Sequence, residues 1–167
     1  MWIQNVHHHL CLLPETLYLA IYLFDRFLSI KVVARAKVGL VAVTCILVAA
    51  KFEEIVVPSM ETMLNFIPGV FTRSELLKAE VFLLKLLDHN LGYPNPLGFM
   101  RRINQADEWH TETRTVVKYI IEATLTNEQF LQWPGSCLAA AATYLAKELL
   151  AYESGVKPSW VSASSSS

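Results

Sequence analysis

Apolar residues recur at helical spacing along nearly the whole chain, and no stretch alternates convincingly in the manner of a β-strand. The clearest helix follows Pro14 and Glu15, because both residue types are favourable in the first turn of a helix. Thr72 and Glu75 have the spacing of a capping box and predict the start of another helix. The predicted helices cover residues 14 onwards, 35–54, a short segment between 59 and 67, 72–89, 97–105, 111–127 and 136–152. The pattern therefore predicts an all-α protein.

Two segments interrupt this helical pattern. The GYPNP sequence at Gly92 to Pro96 contains two prolines and a glycine, so it cannot continue a helix and marks the best candidate domain boundary. The tail from residue 156 ends in SASSSS, which cannot build a core, and we expect it to be disordered.

The composition is apolar: 53% of the 167 residues are hydrophobic, 17% are charged and the mean hydropathy is +0.35. A membrane-spanning helix needs about 20 apolar residues, and the longest uncharged run, residues 38–50, is shorter. The excess apolar surface is better explained by a large core and a hydrophobic interface with a partner protein. A net charge of −1 without a basic run argues against nucleic acid as the partner. Three widely spaced cysteines predict reduced core thiols in an intracellular protein.

Few residues suggest chemistry. Successive side chains on a helix point about 100° apart, so His7, His8 and His9 cannot converge on one metal ion, and we expect no metal site. Asp25 and Arg26, inside an apolar helix, are expected to form a buried ion pair or a hydrogen-bonded strut between helices rather than a catalytic pair. Nothing indicates a catalytic residue or a bound cofactor.

Two predicted helices each carry a charge within an apolar stripe. Lys51 lies on the face of Val48, Phe52 and Ile55. Glu80 lies within a stripe formed by Leu77, Leu84, Leu87 and Leu91. One explanation is that the two charges pair in the core, or that the lysine extends to water. The other is an apolar groove, flanked by one cation and one anion, that receives a partner helix.

Several segments in order resemble one family, the mitotic B-type cyclins, and in particular its fungal members. They are LLPETLYLAIYLFDRFLS at 12–29, AAKFEE at 49–54, GYPNPLGFMRR at 92–102 and the INQAD that follows. The resemblance implies a cyclin fold of tandem helical boxes. It assigns residues 1–91 to an N-terminal box that lacks part of its first helix, 92–155 to an incomplete C-terminal box and 156–167 to a disordered serine-rich tail.

The resemblance also implies a function and a site. Cyclins bind a cyclin-dependent kinase and have no catalytic residues or cofactor of their own, so we expect a regulatory subunit that activates such a Ser/Thr kinase at the G2/M transition, in nucleus and cytoplasm. Lys51 and Glu80 fall at the positions that contact the kinase's regulatory helix. The family's apolar contacts there fall on Val48, Phe52, Leu84 and Leu91.

A second surface of the family is only partly matched. Of its docking patch for substrate and inhibitor peptides, the chain keeps Trp2, while Asn5 replaces an acidic residue and Val38 and Gly39 replace a Leu-Gln pair. These departures argue against the binding of Arg-x-Leu peptides.

Three other interpretations are weighed against an activating cyclin. A cyclin-box module of the transcription-factor type would bind DNA, which the charge balance disfavours. An unrelated helical enzyme would use Asp25, His110 and Glu112, but nothing in the sequence places them together. A truncated cyclin could bind a kinase without activating it, or be a nonfunctional remnant.

Overall fold

The computed structural model describes residues 2–69, 71–107 and 111–154. In those ranges the regular structure is helical, without a strand. The α-helices are α1 (Trp2–His9), α2 (Pro14–Ile30), α3 (Val38–Glu53), α4 (Met60–Leu64), α5 (Arg73–Leu86), α6 (Pro96–Asp107), α7 (Thr111–Thr124) and α8 (Gly135–Ser154). Short 3₁₀ turns cover Arg35–Lys37 and Glu128–Gln132. The all-α prediction is confirmed. The predicted disordered tail lies outside the described residues.

The chain divides into two compact units, with the division between Tyr93 and Pro94. In the first unit α3 is the central helix, because it packs against α1, α2, α4 and α5. Its residues 42–50 are all buried, as expected for a helix that is apolar on every side. Lys51, Phe52 and Glu53 end that helix, so the change from apolar to charged residues marks where α3 leaves the core.

Local sequence signals explain the ends of α5 and α2. The Thr72 hydroxyl accepts from the Glu75 backbone N–H at 3.3 Å, and the Glu75 carboxylate accepts from the Thr72 N–H at 2.8 Å, so the predicted capping box is confirmed. By contrast, the residue before α2 is Leu13, which has no side chain that can cap. Pro14 lacks an N–H, and the Thr16 N–H of that first turn donates to the Leu13 carbonyl at 3.0 Å, so the turn closes without a side-chain cap.

In the second unit α8 packs against both α6 and α7. Small buried residues on α8 let these helices approach closely; they are Ala139, Ala142 and Ala146. They face a core to which α6 contributes Leu97 and Met100 and α7 contributes Val117 and Ile121. No helix in the described ranges has both the length and the hydropathy needed to cross a bilayer.

The prediction that all three thiols lie in the core is wrong for two of them. Cys45 is buried within α3, and this burial, with the Asp25 carboxylate nearby, raises the pKa of its thiol. Cys11 is exposed in the turn after α1, where its φ of 51° is left-handed. Cys137 is exposed in the first turn of α8. Their apolar neighbours in sequence gave no information about which way these two side chains point.

Candidate protein-binding site

Lys51 and Glu80 meet where α3 packs against α5. The Lys51 ammonium Nζ donates to Glu80 Oε1 at 2.5 Å. The lysine side chain is 43% exposed, whereas the glutamate side chain is 11% exposed. The glutamate side chain is therefore almost out of water and depends on the ammonium group, while the lysine side chain remains partly exposed. Lys51 also lies in the last turn of α3, where a cation interacts favourably with the helix dipole.

This geometry corrects one of the two hypotheses drawn from the spacing. An apolar groove with the cation on one side and the anion on the other is wrong, because the two charged groups touch. The direct pairing proposed as the alternative is confirmed. The pair is not sealed in the core, however, because Lys51 is only half covered. The site is thus an ion pair at the surface, with apolar side chains around it.

The apolar residues predicted for the site differ in their exposure. Phe52 is 58% exposed beside Lys51, and Leu77 is exposed one turn before Glu80. Leu84 and Leu91 are half-buried. Val48 is 3% exposed, so in this conformation its side chain belongs to the core and offers no surface to a partner. The helical repeat placed Val48 on the same face of α3 as Lys51. It could not show that α3 is buried up to Ala50.

Glu54 is a structural residue of the site that the sequence reasoning did not identify. Its Oε1 accepts from the Leu13 backbone N–H at 2.7 Å and from the Thr16 hydroxyl at 2.6 Å. It therefore holds the residue before α2 and one side chain of its first turn, and it ties that start to the end of α3 that carries Lys51. No local pattern in the sequence pointed to Glu54, because its partner Leu13 lies 41 positions away in the chain.

The predicted docking-patch residues lie on two different helices. Trp2 is exposed in α1, and Val38 and Gly39 are half-buried in the first turn of α3. A Cβ at Gly39 would lie 3.2 Å from Cγ2 of Ile67, so this position faces the segment after α4 at close range. A larger side chain there would need Ile67 to move.

Asp25 and Arg26 do not form an ion pair within the described residues. Arg26 is a strut on its own, since its Nη1 donates to the Asn90 carbonyl at 2.8 Å. Nearby, the Tyr22 and Tyr93 rings stack with centroids 4.4 Å apart. Asp25 is half-buried, and burial raises the pKa of its carboxyl group. Burial, followed by Tyr22 and Asp25, raises the pKa of Tyr93 to about 12.

The histidine run has structural contacts. The buried His7 ring uses Nε2 for a 2.9 Å hydrogen bond to the Leu13 carbonyl, and His9 packs edge-on against Phe66. Across the described ranges, no group of three His, Cys, Asp or Glu side chains could hold a metal ion. Of the residues considered for an enzyme, Asp25 and Glu112 belong to separate units, and His110 lies outside the described residues.

Comparisons with known proteins match nearly the whole chain. The family model "Cyclin, N-terminal domain" matches residues 1–92, and "Cyclin, C-terminal domain" matches residues 94–165. The chain is 43% identical over 149 residues to the G2/mitotic-specific cyclin cdc13 of Schizosaccharomyces pombe, covering 89% of the chain and 31% of that protein. It is 42% identical over 149 residues to the G2/mitotic-specific cyclin-B of Emericella nidulans, covering 89% of the chain and 31% of that protein.

Solved structures agree in fold. A viral cyclin from herpesvirus saimiri matches with a TM-score of 0.78 at 15% identity, covering 89% of this chain and 66% of that one. A chain of the yeast RNA Pol II CTD kinase CTDK-1 complex matches with a TM-score of 0.67 at 16% identity, covering 94% of this chain and 54% of that one. At these identities the similarity concerns the fold alone. The chain spans about a third of the length of the curated relatives that it matches.

Proposed function

Because the chain belongs to the cyclin family, we propose that it is a regulatory subunit that binds and activates a cyclin-dependent Ser/Thr kinase at the G2/M transition. The resemblance to fungal B-type cyclins is confirmed, and the relatives at about 40% identity bear the name G2/mitotic-specific cyclin. Cyclins are regulatory subunits rather than enzymes, and we propose that this chain likewise supplies no catalytic residue. We place it in the nucleus and the cytoplasm.

The observation that carries the proposal is the partly exposed side chain of Lys51, held by the nearly buried side chain of Glu80 on a neighbouring helix. A charge fixed in this way is pre-organised, so a partner that contacts it does not have to order a flexible lysine. The exposed Phe52 next to it supplies apolar area of the kind that contributes most to affinity. We propose that Lys51, Phe52, Glu80, Leu84 and Leu91 form the contact with the kinase.

Val48 enters this proposed site only indirectly. Its side chain is in the core one turn before Phe52, so it supports the backbone from which Lys51 and Phe52 project. Trp2, Val38 and Gly39 are proposed as at most a weak docking site for peptides, because Asn5 and Gly39 supply neither the acidic nor the amide group that the family uses there.

The mechanism follows from what a kinase needs. Its internal lysine–glutamate pair and its regulatory helix must be in place before the nucleotide phosphates are oriented. A cyclin that binds only the inward position of that helix shifts the population by its difference in affinity for the two states. A shift from about 1:99 to about 99:1 requires about 5.5 kcal/mol of such preference. Burial of about 500 Å² of apolar surface at about 25 cal/mol per Å² exceeds this value before association costs are subtracted.

The test is co-purification of the full chain with a cyclin-dependent kinase, followed by a histone phosphorylation assay on the complex. We expect a complex with kinase activity well above that of the kinase alone. Lys51→Ala should reduce both complex formation and activity. Arg73→Ala is the matched control, because Arg73 also forms an ion pair on α5 but is largely exposed.

The possible results separate the alternatives. A complex without activation would favour a chain that binds the kinase but does not switch it on. If the wild-type chain is folded and no kinase co-purifies, or if Lys51→Ala and Arg73→Ala behave alike, the proposed site is incorrect.

A further inference from the structure

The face of α8 that points away from its neighbouring helices is exposed and largely apolar. The helix packs against α6 and α7 through its buried alanines. Residues 137, 141, 144 and 148 follow i, i+4, i+7 and i+11 spacing, so they form an outer stripe on the opposite side. Tyr144 in this outer stripe is 56% exposed, and Leu145 and Leu149 beside it are 45% and 48% exposed. Single exposed apolar residues are ordinary, but a contiguous apolar face along one helix is typical of an interaction surface.

The side chains of this face are small at one end and large at the other. The amino-terminal half carries Cys137, Ala140 and Ala141, and the carboxyl-terminal half carries Tyr144 and Leu145. A two-fold axis midway between residues 141 and 144 would place the large half of one helix over the small half of an antiparallel copy. Each tyrosine would then cover the alanines of the other copy, and the small residues would let the helix axes approach to about 8 Å. The face is therefore complementary in shape to itself.

The charges of α8 are complementary under the same symmetry. Its first turn contains no acidic residue, and the backbone N–H groups there give the start of the helix a partial positive charge. Glu148 is the acidic residue of the outer stripe, and within the described ranges it forms no ion pair. The two-fold axis brings Glu148 of each copy beside Cys137 in the first turn of the other. Each carboxylate then lies at a positive helix end, and the contact occurs twice.

We propose that the exposed face of α8 joins two copies of this chain in an antiparallel, two-fold contact. The graded side-chain sizes and the position of Glu148 both fit a second copy, whereas an unrelated partner would require neither. A contact of one helix pair is at the low end of interface sizes, so the dimer should be weak and depend on protein concentration. The face belongs to the second unit and shares no residue with the proposed kinase contact in the first. The inference therefore goes beyond the proposed function and does not depend on it.

The first experiment measures association and coverage of the face together. Sedimentation equilibrium gives the molar mass of the full chain from micromolar to submillimolar concentration. Alkylation by a thiol reagent at the same concentrations, read by mass spectrometry, reports on Cys137. The exposed Cys11 of the first unit is the internal control. We expect the molar mass to rise towards that of a dimer while alkylation of Cys137 slows severalfold and that of Cys11 stays constant.

The second experiment tests the antiparallel register by exchanging side-chain sizes. Ala141→Tyr places two tyrosines against each other, and Tyr144→Ala removes the ring that covers the alanines. Each single variant should weaken dimerisation about tenfold or more. The double variant contains the same pair with its members exchanged, so it should restore dimerisation to near the wild-type level. The matched control is Tyr119→Ala, which removes a tyrosine that is 73% exposed on α7 and should have no effect.

The third experiment tests the charge contribution. Glu148→Lys places a cation at each positive helix end, so it should weaken dimerisation about tenfold. The matched control is Glu128→Lys, which changes the net charge equally at an exposed position outside α8 and should have no effect. The circular dichroism of every variant in dilute solution should match that of the wild type.

A chain that stays monomeric, or single variants that dimerise as the wild type does, would overturn the proposal. A double variant that is folded but does not recover dimerisation would also overturn it. Slow alkylation of Cys137 in a monomer at every concentration would overturn it too, because another segment of the same chain would then cover the face. Kinase co-purification by Ala141→Tyr should equal that of the wild type. Failure of this proposal therefore leaves the proposed function standing, and the reverse also holds.

Discussion

Helix α5 takes part in two ion pairs whose surroundings are opposite. At its first residue, Arg73 Nη1 lies 3.1 Å from Glu61 Oε1, and the two side chains are 67% and 66% exposed. Two turns later, Glu80 receives Lys51 at 2.5 Å with its own side chain only 11% exposed. The residue types are alike, so the difference in burial determines what each pair contributes.

The causes of the lowered pKa of Glu61 agree with the high exposure of its pair with Arg73. The pKa of Glu61 is lowered mainly by a hydrogen bond from its own backbone N–H and then by the Ser59 side chain, with Arg73 the smallest of the lowering contributions. Arg73 therefore lowers the pKa of Glu61 less than the backbone N–H and Ser59 do. Glu80 has far less access to water, so the loss of Lys51 would leave a nearly buried charge without compensation.

The largest expected effect concerns kinase binding after the charges are exchanged. Lys51→Glu combined with Glu80→Lys keeps an ion pair but reverses the charge presented at the surface. We expect kinase affinity to fall by about 2–4 kcal/mol, as for a central charged contact. Isothermal titration calorimetry would measure this change. The control exchange, Arg73→Glu with Glu61→Arg, should leave affinity unchanged. If the exchange of Lys51 and Glu80 leaves kinase affinity unchanged, this pair has only a structural role. The two ion pairs would then not differ in their contribution to kinase binding.

A smaller effect concerns folding and depends on which partner is removed. Lys51→Ala should lower the free energy of unfolding by about 1–2 kcal/mol, less than for a fully buried pair because water reaches part of the site. Glu80→Ala should cost less, since the lysine left behind can be solvated. Urea denaturation would measure both, with Arg73→Ala expected to match the wild type. Equal losses from the two single variants would show that burial of Glu80 is not the cause.

The smallest effect extends the comparison to Asp25, a half-buried carboxyl group with no ion pair in the described part of the chain. Its pKa is raised by burial from 3.8, so the folded protein binds this proton more tightly than the unfolded chain does. Its contribution to stability therefore declines as pH rises through 3.8 and the higher folded pKa. Asp25→Asn should raise stability at about pH 7 by about 0.5–1 kcal/mol, a value reduced for partial exposure.

Urea denaturation of Asp25→Asn and wild type across the acid range checks this sign. The two curves should converge at low pH, where Asp25 is protonated in both states, and separate as pH rises. Lower stability of the variant at neutral pH would indicate that the charged carboxylate has a stabilising partner.

Local features of the fold were predictable because their causes lie within a few residues. Thr72 and Glu75 are three positions apart, so their capping box could be read directly. The apolar repeat located α2, α3 and α5–α8 to within a few residues, and the Gly-Pro segment at 92–96 indicated where helical structure pauses. The same spacing placed Lys51 and Glu80 on their helices as charges within apolar stripes.

The sequence by itself therefore determined the helices, their caps and the candidate charges, because short-range periodicity and hydrogen bonding set them. Only the tertiary structure decided that Lys51 touches Glu80, 29 positions away, rather than facing it across a groove. It also decided that Glu54 binds the Leu13 N–H, 41 positions distant, just before α2, and that Val48 is core rather than surface. Which charge meets which, and which face is covered, depends on the packing of separate helices, and no helical repeat encodes the rotation of one helix against another.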